Sequence, residues 1–574
     1  MFNLQWIQES FSCNNNSTTS TNKTQNNKHS STRGSTSTIP SSAADYFEAL
    51  NTLQKQEREM AFDAAAVAKA SESEKDAALV LQSIRTEERS RLLKSGASDQ
   101  FLANAGLINH GSDLMRVAQR LPKGAQLHCH FNTVLHPSFL VSEARNIKCM
   151  FIRSSLSLNT QLDNLNNAAI TFSVLQDSTE GANIFDPDYE PLTWVRYSKF
   201  LENFPGGGGK AEEWLVNKLL ISLEDAHAVG QTLEGVWDIF NRSTQMMKGL
   251  FNYESAFRNY VGKAIDSFVE DNVMYAEVRP NFFDKYIATD DGEGQLDHRA
   301  WMQIIREEVD AKIKQLDANG SRGAGRFKGL KVIYCAPRSI KNEDMTWCLN
   351  DCISLKQEFP DLICGFDMVG CEGRGNPIRH YISELLQFRA TCTALNLDIP
   401  FIFHAGETLE SQGPTDNNLY DAIMLNSKRI GHGYALPQHP LLMQLCRERG
   451  IALEICPISN EILHLCSSMK GHVLPTLLAN SVPCTINSDN PAYFGSSLSH
   501  DFYQTILYHD SMTLFGWRVL AEWGIEHSCM DVEQRNDAFK TWEANWKAFC
   551  EWIVEEFGPE YLKFPVSTQV KNAN

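Results

Sequence analysis

From Leu121 to about Phe564 the chain repeats one pattern eight times: a short apolar run rich in β-branched residues, closed by a polar cluster and followed by a longer stretch with helical spacing. The runs are Gly124 to His130, Val273 to Arg279, Leu330 to Pro337, Ile363 to Gly370, Pro400 to His404, Arg429 to His432, Ile451 to Pro457 and Val482 to Asp489. Eight strands alternating with helices predict an α/β fold, a (β/α)8 TIM-type barrel. In that architecture functional groups gather at the C-terminal ends of the strands. The polar residues that stand out in this chain sit at such ends.

The 574 residues exceed what one barrel needs, and the surplus has an identifiable place. Residues 14 to 38 are almost entirely Asn, Ser and Thr, so residues 1–40 are expected to be a disordered tail. Its Asn-x-Ser/Thr triplets at Asn15, Asn16 and Asn22 arise from that composition. Residues 41–120 form an N-terminal arm, helical because Ala43 to Leu93 is rich in Ala, Glu, Lys, Gln and Leu without Gly or Pro. The arm either packs on the domain or on a second subunit, which would make a homodimer, or is a solvated helix. The barrel occupies 121–574, with an insertion after its first strand, at about 148–271, that is too long for an ordinary connection. Within it, Gly206 to Gly209 before Lys210 has the wrong spacing for a phosphate-binding loop and no Ser or Thr after the Lys, so a flexible loop is expected.

A net charge of -18 argues against nucleic acid or an anionic membrane as partner. No apolar stretch approaches the roughly 20 residues of a membrane span, and the first residues lack a signal-peptide pattern, so a cytoplasmic location is expected. The 15 cysteines, many of them inside apolar runs, read as buried reduced thiols rather than a disulfide framework.

His128 and His130 close the first run, and residues two apart in a strand share a face. His404 closes the fifth and Asp489 the eighth. Three imidazoles and one carboxylate suit one zinc ion per chain with an open position for water, whose pKa the metal lowers toward neutrality. Glu407 follows in His-Ala-Gly-Glu, where a carboxyl group can give a proton to a substrate, and His432 lies between two glycines, where an imidazole can orient the nucleophile or take its proton. Each residue singly has a bland reading as a solvated Glu or a core His. Four strand ends presenting ligand-type residues together do not.

Those residues lie in seven ordered motifs: Leu-Pro-Lys-Gly-Ala-Gln-Leu-His-Cys-His, Tyr-Ala-Glu-Val-Arg (Tyr275 to Arg279), Gly-Phe-Asp-Met-Val-Gly (Gly365 to Gly370), His-Ala-Gly-Glu, Arg-Ile-Gly-His-Gly, Cys-Pro-Ile-Ser-Asn (Cys456 to Asn460) and Ser-Asp-Asn-Pro. From Leu121 to Phe494 the series resembles the adenosine deaminases, and in particular their growth-factor branch, which includes fungal members. The resemblance implies hydrolytic deamination of adenosine or 2'-deoxyadenosine, a purine nucleoside substrate, and zinc on His128, His130, His404 and Asp489, with Asp489 also counted among the catalytic groups. It implies that Glu407 protonates purine N1, that His432 steers the nucleophile to C6, that the Gly370 N–H meets N3 and that Trp237 caps the ribose. Glu277 and Arg279 are expected to form a structural ion pair beneath the site.

The chain departs from the family at two positions. Asn132 stands where these deaminases commonly carry an Asp for the ribose 5'-hydroxyl, and Asn490 where a second Asp follows the zinc ligand. Both are expected substrate contacts. A neutral amide weakens a contact that a carboxylate would make, but its NH2 can donate to purine N7. The secreted relatives carry a disulfide-closed insertion, whereas this one offers only Cys149; secretion, usual in the branch, is the alternative to a cytoplasmic location. Other readings on the same scaffold are a zinc amidohydrolase acting on another adenine derivative and a non-catalytic, growth-factor-like binding protein. A cytidine-deaminase type is excluded by the absence of its Cys-x-x-Cys signature.

Overall fold

The computed structural model describes residues 39–159, 162–176, 183–318 and 327–562. Strands form at all eight anticipated runs: β1 Gly124–His130, β2 Val273–Arg279, β3 Leu330–Pro337, β4 Ile363–Val369, β5 Ile402–Ala405, β6 Arg429–His432, β7 Ala452–Ile455 and β8 Cys484–Ile486. Parallel ladders join β1 to β4 in one group and β5 to β8 in another, each in sequence order. Two short bridges close the ring, Phe366 with Phe401 between β4 and β5, and Cys129 with Asp489 just past β8. At the second junction His130 N–H donates to Asp489 O at 2.9 Å and Asp489 N–H to His128 O at 3.1 Å. Helices such as His298–Ala318, Asn342–Glu358 and Ile382–Ala394 carry the chain back between strands and bury one apolar face each.

Charge, as well as hydrocarbon, fills the interior of the ring. Glu277 and Arg279 point inward from β2, as their spacing requires, but they do not pair with each other as expected. Arg279 bridges Asp367 of β4 (2.9 Å) and Glu454 of β7 (2.6 Å), whereas Glu277 takes Arg429 of β6 (2.5 Å). Side chains two apart in a strand share a face yet are held apart by the extended backbone. The neighbouring strands bring complementary charges closer.

The insertion builds its own layer. An antiparallel sheet has Met150–Ser154 between Ile170–Val174 and Val195–Arg196, and five helices from Tyr197–Asn203 to Glu254–Glu270 lead to β2. The expected glycine loop is only half a loop. Gly206 and Gly207 turn the chain with φ of +95° and +82°, and Gly208 begins the helix Gly208–Leu219.

The chain divides into two compact units, residues 1–58 and 59–574. The anticipated tail lies, but for its last two residues, outside the described residues, and the helix Ala43–Met60 belongs to the first unit except for its last two residues. In the second unit the helix Glu72–Ser95 starts at a Ser71/Glu74 capping box and packs Val80, Leu81 and Ile84 into the core. Glu74 accepts from Trp546 at 2.7 Å, so this part of the arm packs on its own barrel. All fourteen cysteines among the described residues are free, as the reading of reduced thiols anticipated. Among the described residues no helix is long and apolar enough to cross a membrane.

A second tie to the barrel is Glu461, whose Oε1 accepts the N–H of Phe101 (2.7 Å) at the start of the helix Phe101–Asn109. Burial pushes its carboxyl up to about 8, so the folded chain holds a proton there that the unfolded chain releases near its ordinary value of 4.5. The associated stability is complete below that ordinary value and is lost as pH rises through about 8. Glu461→Gln keeps the acceptor and removes the titration. Urea unfolding should therefore give similar midpoints for the two proteins at about pH 5 and a midpoint higher in the variant at about pH 9; a constant difference across that range would refute the assignment.

Candidate metal and catalytic site

The residues expected from separate strand ends converge at one end of the ring. Ring centroids of His128 lie 4.5 Å from His404, 4.8 Å from His432 and 5.8 Å from His130. His128, His404, His432 and Asp489 each bring one ligand-type atom within 4.8 Å of the others. His130 joins through Asp489, whose Oδ1 lies 3.3 Å from His130 Nε2 and 3.4 Å from His128 Nε2. His128 Nε2 and Asp489 Oδ1 are both buried without a hydrogen-bond partner. Burying unsatisfied lone pairs against each other is costly, and a divalent cation between them accounts for both. Imidazole nitrogens with one carboxylate fit zinc.

The groups behind these side chains fix which nitrogen faces inward. His128 Nδ1 is 2.8 Å from Glu454 and His404 Nδ1 is 2.7 Å from Asp367, so each ring turns Nε2 toward the cluster. Asp489 Oδ2 accepts from Ser459 Oγ at 2.7 Å, leaving Oδ1 for the cluster. Burial brings the His404 imidazole down to about 4, which keeps it neutral and fit to ligate. Burial opposes ionisation of Asp489, but the neighbouring His128 and His130 imidazoles outweigh it and hold the carboxyl well below its usual range.

Backbone conformation aims two of these groups. His432 and Asp489 both have positive φ, +59° and +55°, a region non-glycine residues seldom enter and one that concentrates at functional sites. Gly431 is the other special position. A Cβ there would stand 3.0 Å from His128 Cε1 and 3.2 Å from His404 Cα, so glycine lets β6 pass this close to the His128 ring and to the backbone of β5.

Glu407 is turned inward because Glu372 accepts its backbone N–H at 2.9 Å and that of Gly406 at 3.2 Å. Burial first, and then the charges of Asp489 and Glu372, raise the Glu407 carboxyl well above its ordinary value, so it carries a proton. Its Oε1 is 3.6 Å from His432 Nε2. Burial, reinforced by the neighbouring His128, holds His432 neutral. A protonated carboxyl beside a neutral imidazole, facing a metal site, is a constellation for general acid catalysis with a water nucleophile.

One cavity of about 350 Å³ opens onto these groups and is lined by His130, His404, Glu407, His432 and Asp489, with Asn132, Trp237, Gly370 and Asn490. His128 lies beneath it, fully buried. Trp237 comes from the helix Leu233–Phe251 of the insertion, which thus forms a wall of the pocket. Asp367, Glu454 and Ser459 went unassigned in the sequence. The signal for the first two was present, since each is a lone carboxylate inside an apolar strand and must therefore face a buried partner.

The adenosine deaminase family model matches residues 219–541, more than half of the chain. An adenosine deaminase of Phlebotomus duboscqi is 29% identical over 490 residues, spanning 83% of this chain and 86% of its own length. Adenosine deaminase 2 of Homo sapiens is 28% identical over 477 residues, 82% of this chain and 86% of its own. An amidohydrolase of Burkholderia ambifaria, solved with bound zinc, matches in fold with a TM-score of 0.51 at 14% identity, covering 77% of this chain and 95% of that one.

Gly431→Ala should lower zinc affinity by about tenfold or more while far-UV circular dichroism stays unchanged, because the added methyl presses on the His128 ring and on the backbone that carries His404 without entering the rest of the barrel. Titration against a competing chelator measures this. Parental affinity in the variant would show that β6 can move aside.

Proposed function

The chain belongs to the adenosine deaminase family, and from that premise and the geometry of the site we propose that it is a zinc-dependent enzyme hydrolysing the 6-amino group of adenosine or 2'-deoxyadenosine to give inosine or 2'-deoxyinosine and ammonia. The observation that carries this reading is the buried Glu407 carboxyl, 3.6 Å from His432 Nε2 and on the same cavity as the orphaned Oδ1 of Asp489, where burial favours its protonated form. His128, His130, His404 and Asp489 would hold the zinc ion, which when bound supplies a water of lowered pKa.

The remaining work falls to side chains of this chain. Glu407 gives its proton to purine N1, which makes C6 electrophilic, and water adds there from the side of the metal ligands. His432 aligns the attacking oxygen. Of the water's two protons one returns to the Glu407 carboxylate and the other passes to the 6-amino group, so the tetrahedral centre collapses with loss of ammonia, N1 keeps its proton and one water is consumed for each ammonia released. Gly370, with φ of +106°, turns its backbone at the pocket wall, where its N–H serves purine N3. Trp237 packs over the ribose.

The two asparagines set the substrate contacts. Asn490 lines the cavity, where its NH2 can donate to N7, an atom that only accepts. Asn132 accepts the ribose 5'-hydroxyl through a neutral amide oxygen.

Ammonia release from adenosine by zinc-loaded protein tests the reading. Wild type should turn over, and Glu407→Gln, with zinc still bound, should lose at least about 100-fold in kcat. Zinc binding without ammonia release would overturn the proposal. Asn132→Asp should lower KM for adenosine by roughly fivefold, about 1 kcal/mol, because a charged acceptor binds the hydroxyl more strongly; an unchanged KM would remove Asn132 from the substrate contacts.

A further inference from the structure

A chain of hydrogen bonds runs from a backbone amide to the imidazole of His432, and its direction can be read. Leu474 N–H points at His472 Nδ1 at 3.0 Å. A backbone N–H only donates, so His472 Nδ1 must be the acceptor, which leaves the ring's proton on Nε2. His472 Nε2 lies 3.1 Å from Asn460 Oδ1, the acceptor end of that amide. The Asn460 NH2 is thereby turned the other way, and it lies 3.1 Å from His432 Nδ1. An amide NH2 only donates, so His432 Nδ1 must accept, and the single proton of its neutral ring sits on Nε2, the nitrogen facing Glu407 and the cavity. His472, Asn460 and His432 are all buried, so each donor and acceptor in the chain has to be matched within the protein.

From this connectivity we infer that Asn460 and His472 are positioning residues that lock His432 in its Nε2–H tautomer, so that His432 donates a hydrogen bond to the attacking oxygen and does not take its proton. With the Nδ1 lone pair engaged by Asn460 and Nε2 already protonated, the ring has no free lone pair toward the cavity. Its contribution is to orient an oxygen lone pair at C6, which leaves proton exchange with the substrate to Glu407. The same backbone-to-ring chain explains why a His and an Asn outside the metal cluster are buried 4% and 1% exposed on one line behind it.

The kinetic arm of the test rests on the deaminase reading; the spectroscopic arm does not. Long-range 15N–1H spectra of the full chain labelled with 15N-histidine, with the His432 signals identified by their loss in His432→Gln, report which nitrogen is protonated. The zinc-loaded wild type should show the Nε2–H pattern, and an Nδ1–H pattern would overturn the inference. Asn460→Asp replaces the donor to His432 by an acceptor of nearly the same shape, so it should switch the ring to Nδ1–H and lower kcat by about 100-fold with KM within about threefold and zinc content unchanged. His472→Gln keeps a donor for Asn460 Oδ1 and should retain kcat within about fivefold, whereas His472→Leu should lose about tenfold or more. Equal activity in Asn460→Asp and wild type, or equal losses in both His472 variants, would reduce the chain to a packing role. If wild type releases no ammonia at all, the deaminase reading fails and the spectra still decide the tautomer.

Discussion

Arg279 is the residue on which the site's architecture depends. Fully buried inside the ring, it bridges Asp367 and Glu454, and those two carboxylates orient His404 and His128. Both are held well below the usual carboxylate range: burial opposes ionisation, but His404 and Arg279 at Asp367, and Arg279 and Arg429 at Glu454, outweigh it. A buried charge network of this kind is weak evidence for stability, since apolar residues would fill the same space at comparable cost. Its value here is geometric. One guanidinium of fixed shape spaces β4 and β7, and through them sets where two ligating nitrogens stand. Arg429 repeats the arrangement one layer away, joining Glu454 to Glu277.

Much of this was legible in the sequence because a barrel puts its chemistry at strand ends. The eight strands, the His-x-His pair, His404, Glu407, His432 and Asp489 all follow from reading where apolar runs stop. What lay deeper was harder to see. Glu277 and Arg279 are two apart on one strand and invite pairing, yet their partners come from strands up to 175 residues away in the chain, as with Arg279 and Glu454. Asn460 and His472 stand on no strand: one lies on the short helix Pro457–Ile462 and the other at the end of the 3-10 turn Met469–Gly471, and their meeting with His432 is a product of the folded loops. The antiparallel sheet of the insertion was invisible for another reason, since its two longer strands span only five residues each and lie within a long stretch dominated by helices.

The insertion also changes what the pocket is made of. Were the loop after β1 short, the cavity would be bounded by strand ends alone. Here the helix Leu233–Phe251 brings Trp237 against Phe240, with ring centroids 5.1 Å apart, and Phe240 against Tyr493, 5.3 Å apart. An aromatic wall contributed by an inserted layer lets the part of the pocket away from the metal ligands vary while the catalytic strand ends stay fixed.

The ring closes where Cys129 bridges Asp489, and the ligating residues flank that closure. His128 and Asp489 are separated by 361 residues in the chain. During synthesis the two ends of the ring leave the ribosome far apart in time, and the metal site cannot exist until the last strand has docked beside the first. Acquisition of the ion is therefore a late event that reports completion of the whole barrel, and a chain halted between His404 and Asp489 would have three histidines but no centre for them to share.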